Sequence, residues 1–125
     1  MADVQSAPQA ERLWKAVRSL KNTRELKRFL RDLLTEQEIS EFSRRFRAAE
    51  MLYTGVPYSK IIKETKLSST TVARISKWLH TGEGGYKIAL NRLGVEPAQD
   101  SPYSSIGSST RSMAGKYSRS RAVTK

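Results

Sequence analysis

The chain contains no cysteine and a single histidine, His80. The first absence excludes disulfides, thiolate zinc sites and cysteine nucleophiles. The second leaves too few imidazoles for a multi-histidine metal site or a histidine-dependent triad, so no metal, no cofactor and no enzyme activity are expected. Long apolar runs are missing too. No stretch approaches the roughly 18 residues that span a bilayer, and the leading MADVQSAPQAER lacks the basic-then-apolar layout of a signal peptide. The expectation is a cytoplasmic protein with no membrane partner. Acidic residues are scarce: 12 Asp and Glu face 23 Lys and Arg in 125 residues, a formal net charge of +11. Such a surplus points to an anionic partner, nucleic acid foremost.

What is present divides near Gly94. Residues 95–125 hold eight serines among 31 positions and few large aliphatic side chains, with Arg111, Lys116, Arg119, Arg121 and Lys125 against Glu96 and Asp100. So little apolar surface does not offset ordering entropy, and the segment is expected to be a flexible, Ser/Arg/Lys-rich basic tail. Its net +3 leaves +8 on residues 1–94, so the body is basic in its own right.

Residues 1–94 show helical periodicity without strand alternation, which predicts an all-α domain. A first helix, about 9–21, carries Ala10, Leu13, Trp14, Val17 and Leu20 on one side; a second, about 23–34, carries Leu26, Phe29, Leu30, Leu33 and Leu34. Asn22 with Glu25, and then Thr35 with Glu38, have capping-box spacing. The latter opens a long third helix, about 36–54, that closes at Gly55 and bears the stripe Ile39, Phe42, Phe46, Ala49 and Tyr53. Helices this apolar in a 94-residue body are candidates for a dimer interface as well as for an internal core.

Residues 57–80 then read as a helix-turn-helix. Pro57 suits a first helical position, Ile61 and Ile62 pack inward, Thr65-Lys66-Leu67 turns, and Ser68 caps a second helix over about 69–80 that Gly82, Gly84 and Gly85 end. Val72, Ile75 and Leu79 anchor that second helix to the body. Ser69, Thr70, Thr71, Ala73 and Arg74 are left for base readout, their small size allowing close approach and their hydroxyls and methyls matching groove edges. Lys60, Lys63, Lys66 and Lys77 suit phosphate contacts, and Tyr58 and Ser59 are possible additional ones. Tyr86, Ala89, Leu90 and Leu93 are spaced to pack a last short helix on the body, while His80 suits a solvated helix C-terminus. An ordinary solvated helical hairpin would share much of this pattern.

LLTEQEISEFSRRFRAAEMLYTG followed by SSTTVARISKWLHTGEGGYKIALNRLG resembles the Trp-repressor family, most closely its YerC/YecD-type Trp-repressor-like group. The resemblance covers about residues 20–94, with a one-residue gap near Val56. It implies a six-helix, intertwined homodimer presenting two helix-turn-helix readers to successive major grooves, and transcriptional control in a bacterial cytoplasm. It also places Thr35, Arg45 and Arg74 where tryptophan-responsive members surround the indole ligand. The family's small glycine and serine beside that ligand correspond to Ile75 and Trp78, whose volume leaves free tryptophan no room. These five residues are thus expected to form a vestigial effector pocket, unresponsive to L-tryptophan. Trp78 either fills the space itself or is a plain core aromatic; Arg45 is left to pair with a carboxylate of the body. The leading expectation is a sequence-specific double-stranded DNA-binding regulator, a repressor, on a palindromic site. The alternatives are an RNA-binding or nucleoid-associated protein without strong sequence preference, and a helical adaptor for an acidic protein.

Overall fold

Short-range hydrogen bonds set the helix boundaries in this computed structural model, which describes residues 3–99 and 102–103. Among the described residues are a 3-10 turn, Val4–Ser6, and six α-helices: α1 Pro8–Ser19, α2 Thr23–Leu33, α3 Glu36–Tyr53, α4 Tyr58–Thr65, α5 Ser69–Thr81 and α6 Gly85–Arg92. None of the described residues lies in a strand, as the periodicity requires. No described helix is long and apolar enough to cross a membrane.

By its contacts the chain separates into two units, residues 1–40 and 41–125, with the division falling inside α3. In the first unit, Pro8 opens α1 at a position whose N–H has no helical partner to lose. Asn22 Oδ1 accepts from the Glu25 N–H (2.9 Å), while Glu25 Oε1 reaches one residue further back, to the Lys21 N–H (2.8 Å). At the start of α3 the reciprocal box forms as expected: Thr35 Oγ1 accepts from the Glu38 N–H at 3.0 Å, and Glu38 Oε1 from the Thr35 N–H at 2.9 Å. Yet none of the described residues of this unit is buried. Trp14 is 44% and Leu33 50% exposed, so the apolar stripes of α1 and α2 do not make an internal core within one chain.

The second unit has that core. Ala48, Ala49, Met51, Leu52 and Tyr53 of α3 pack with Ile61 of α4, Val72, Ile75 and Leu79 of α5, and Leu90 of α6. The Tyr53 hydroxyl donates to Asn91 Oδ1 (3.2 Å), so the buried phenol keeps a partner. Of the stripe expected on α3, Ala49 and Tyr53 are buried, whereas Phe42 is 47% exposed.

Two helix ends use the same device. After α3 the Gly55 N–H donates to Leu52 O (3.0 Å) and the Val56 N–H to Met51 O (2.9 Å); after α6 the Gly94 N–H donates to Asn91 O (3.0 Å) and the Val95 N–H to Leu90 O (2.9 Å). Each is a Schellman motif whose pivot glycine holds a left-handed φ, +89° at Gly55 and +83° at Gly94. A Cβ at Gly55 would lie 3.0 Å from that of Ala98, a second reason for glycine there. The motif also corrects the expectation for Leu93. The helix stops at Arg92, the chain swings away, and Leu93 is left 67% exposed while Val95 packs on the core in its place.

The chain beyond Gly94 is attached to this body further than its composition suggests. The Ala98 N–H donates to Tyr53 O at 3.0 Å, and Tyr103 is buried in the core. The remainder of the expected tail, residues 104–125, lies outside the described residues.

Candidate nucleic-acid interface

Helices α4 and α5 are joined by three residues, Lys66 to Ser68, and the N–H groups of the first two are satisfied locally. Lys66 takes the left-handed conformation (φ +63°) that turns the chain, its N–H donating to Ile62 O at 2.9 Å. The buried Thr65 hydroxyl donates to Ile61 O (2.7 Å) and accepts from the Leu67 N–H (3.3 Å). A turn this short, with its hydroxyl inside, holds the two helices at a fixed crossing.

Ser68 caps α5. Its Oγ accepts from the Thr71 N–H at 3.1 Å and donates to Thr71 Oγ1 at 3.0 Å. Ser68→Ala is expected to lower stability by about 0.5–2 kcal/mol, read as a lower urea midpoint at unchanged slope. Thr71, at the leading end of α5, is therefore turned to the cap and half-buried. The other residues assigned to base readout, Ser69, Thr70, Ala73 and Arg74, are exposed, as is Lys77. They share the side of α5 opposite the buried Val72, Ile75 and Leu79.

On α4, Tyr58, Ser59, Lys60 and Lys63 are exposed, as is Lys66 in the turn. Ser59, Lys60, Lys63 and Glu64 line a shallow groove. The charge of Glu64, the one acidic residue of the motif, is met from α3 by Arg47, whose Nη2 lies 3.2 Å from Glu64 Oε2. Arg47 also pairs with Glu50 at 3.5 Å. Nothing in the local sequence signals this neutralisation, because the partners are 17 residues apart.

Each of the five residues placed by resemblance around an indole ligand has its own surroundings within its unit. Thr35, in the first unit, spends its hydroxyl on the α3 cap. Arg45 pairs with Glu41 one helical turn earlier (2.7 Å) and lies over the Phe42 ring, 5.9 Å from its centroid. Its Nε is buried with no hydrogen-bond partner among the described residues. Ile75 is fully buried in the core. Trp78, by contrast, is 45% exposed, which overturns its reading as a plain core aromatic of this chain. Arg74 is exposed on α5.

Behind the motif, Tyr86 lies 6.4 Å from the Phe46 ring. Burial pushes its phenol above the ordinary value, and Arg45 acts in the opposite sense. Lys87 beside it is held below its ordinary value by burial. Tyr103, which sequence reasoning missed, sits against the flank of α5: its hydroxyl is 2.5 Å from Ser76 Oγ and its ring meets His80 edge-on at 6.1 Å. Burial raises the Tyr103 phenol above its ordinary value, the Ser76 hydrogen bond opposes that, and the nearby Tyr58 adds to the rise. An aromatic in a serine-rich segment without helical or strand spacing carries no periodicity, so no sequence signal could have placed it.

A six-helix body with this turn has counterparts. The family model for the Trp repressor protein matches residues 9–94. The chain belongs to the Trp repressor family. That family is one of DNA-binding regulators. The chain is 37% identical over 83 residues to YerC of Bacillus subtilis (strain 168), a protein described as uncharacterized, covering 66% of this chain and 80% of YerC. It is also similar to the crystal structure of a TrpR-like protein from Eubacterium eligens ATCC 27750, with a TM-score of 0.69 and 34% identity over 74% of this chain and 95% of that one. A second crystal structure, from Staphylococcus aureus, gives a TM-score of 0.66 at 31% identity, over 71% of this chain and 89% of that one. The family match ends at Gly94, so Tyr103 and its contacts with α5 lie beyond it.

Proposed function

We propose that this protein is a sequence-specific double-stranded DNA-binding transcriptional repressor of the bacterial cytoplasm, acting as a homodimer on a palindromic site. The observation that carries the reading is the exposed face of α5, where Ser69, Thr70, Ala73, Arg74 and Lys77 lie opposite the buried Val72, Ile75 and Leu79. Small and hydroxyl-bearing residues at the leading end of a capped helix approach base edges, and Arg74 reaches a guanine edge or a phosphate. Thr71 contributes through the cap. Lys60, Lys63, Lys66 and Lys77 hold phosphates, with Tyr58 and Ser59 beside them at the start of α4.

The dimer is supported by the first unit, whose strongly amphipathic α1 and α2 bury nothing fully within one chain. Apolar stripes left open this way are covered by a second copy more readily than by water. Residues 1–94 form the binding body and residues 95–125 an extension of it. Two readers related by a two-fold axis require half-sites about 34 Å apart, one turn of DNA.

L-Tryptophan is not the effector. Ile75 occupies space that a ligand would need, and Arg45, whose counterpart would meet a carboxylate, already has Glu41. Isothermal titration with L-tryptophan is expected to show no binding in the micromolar range; a micromolar Kd would overturn this.

The function itself is tested by selecting bound duplexes from a random library with the purified chain. A palindromic motif supports the repressor and the dimer together. The second reading, a nucleic-acid-binding protein without sequence preference, draws on the net charge of +11 and the exposed Tyr58. Recovery of no motif, with equal binding to single-stranded RNA at two salt concentrations, would favour it.

A further inference from the structure

The family match ends at Gly94, but three contacts tie the chain beyond it to the body, each on a different helix. The Val95 N–H donates to Leu90 O of α6 (2.9 Å), the Ala98 N–H donates to Tyr53 O at the end of α3 (3.0 Å), and the Tyr103 hydroxyl and Ser76 Oγ of α5 share a hydrogen bond (2.5 Å). Tyr103 is buried, its ring meets His80 edge-on, and Tyr58 at the first turn of α4 is near enough to act on its phenol. The point of contact on α5 gives this brace its meaning. Ser69, Ala73, Ser76 and His80 follow one another at i, i+4, i+7 and i+11, and so share one flank of the helix. Its leading part, Ser69 and Ala73, is exposed and belongs to the face assigned to base readout; its trailing part, Ser76 and His80, carries Tyr103. The buried stripe of Val72, Ile75 and Leu79 seats α5 on the body, but apolar contacts are non-directional and resist rotation about the helix axis only weakly. A hydrogen bond on the flank is directional and does resist it.

We propose that Tyr103 is a positioning residue for sequence recognition: through Ser76 it fixes the rotation of α5 about its own axis, and so the direction in which Ser69 and Ala73 meet base edges. The inference rests on the DNA-binding reading above and adds to it a determinant outside the residues that the family model matches. Base contacts and phosphate contacts differ in the accuracy they need. A lysine reaches a phosphate on a flexible four-carbon stem and follows it when the helix turns. A serine hydroxyl or an alanine methyl has no such slack, because its place against a base edge is set by the backbone that carries it. Loosening the brace therefore costs sequence preference before it costs general affinity.

The test compares the full wild-type chain with Tyr103→Phe, Ser76→Ala and the double variant. Tyr103→Phe keeps the ring in the core and removes only the hydroxyl; Ser76→Ala removes the other partner and puts a better helix former into α5. Affinity is measured at one salt concentration for the duplex recovered by library selection and for a mixed-sequence duplex, with urea unfolding and amide hydrogen exchange alongside. Each single variant is expected to bind the selected duplex about two- to tenfold more weakly, the range for losing one hydrogen bond, and to bind the mixed-sequence duplex as wild type does. The double variant is expected to lose no more than either single one, since all three lose the same bond. Amides of α5 should exchange faster in every variant while those of α3 keep their wild-type protection. A wild-type ratio between the two affinities overturns the proposal, whether both are unchanged or both fall in step with stability, the latter being the mark of a purely structural contact. Additive losses in the double variant overturn it too, because the two hydroxyls would then act separately. If the wild-type chain prefers no duplex, the functional reading fails and the positioning role with it; faster α5 exchange in the variants would then still establish the brace as a structural contact.

Discussion

Ile61→Ala is expected to lower the unfolding free energy by about 2–5 kcal/mol, the range for truncating a fully buried isoleucine. Ile61 has no exposed surface and lies in the core shared by α3, α4, α5 and α6. Truncation removes its transfer free energy and leaves a cavity that the surrounding helices close only in part, because α4 is held at its far end by the Lys66 turn. Small domains have about 5–15 kcal/mol in all, so this one change should remove a large fraction of the stability. Urea unfolding followed at a helical wavelength is the measurement. Ile61→Val, which removes a single methyl group, should cost only about 0.5–1.5 kcal/mol. An alanine variant within 1 kcal/mol of wild type would mean that α4 is not seated as described. Since α4 positions the start of α5, DNA affinity should fall along with stability in the alanine variant.

The triple change Lys60→Gln, Lys63→Gln and Lys77→Gln should do the opposite, leaving stability intact while removing much of the DNA affinity. All three side chains are exposed, and none forms an ion pair among the described residues. Exposed lysines without partners contribute little to folding. At a DNA surface each neutralises one phosphate and releases its counterion, so a dimer would lose six such contacts and about 5 from its log–log salt slope. Between low and near-physiological salt that difference in slope amounts to on the order of 10³-fold in relative affinity. The readout is a salt series of binding isotherms beside a urea melt. A variant with the wild-type slope would show that these lysines face solvent rather than phosphate. Lys66 is left unchanged because its left-handed backbone makes it part of the turn.

Several features of the site were legible because their causes are local. The Thr35 and Glu38 box, the Ser68 cap, the Lys66 turn and the closing glycines each involve groups within about five residues of one another, and such groups meet whatever the rest of the chain does. The stripe of Val72, Ile75 and Leu79 was legible for a related reason. Helical periodicity alone puts the three on one side, and only one side of a helix this short can be covered by a small body.

The residues that departed from expectation did so for reasons that helical periodicity alone does not carry. Trp78 reads as apolar and interior, but it lies to one side of the buried stripe and no other described element covers it fully. Leu93 fits the spacing of α6, yet the Schellman turn diverts the chain before it can pack. Thr71 reads as a reader side chain, and its hydroxyl also accepts from Ser68 in the cap.

The amino-acid sequence by itself determined the helices, their ends, the helix-turn-helix and the basic character of the chain, because capping, turn geometry and net charge are properties of a few adjacent residues or of a simple sum. Only the tertiary structure decided which apolar residues are covered, that Arg47 offsets Glu64, and that Tyr103 reaches back 27 residues to Ser76. Burial and pairing depend on what the folded chain brings alongside, and in a serine-rich segment without periodicity one aromatic ring finds its place only when the core that receives it already exists.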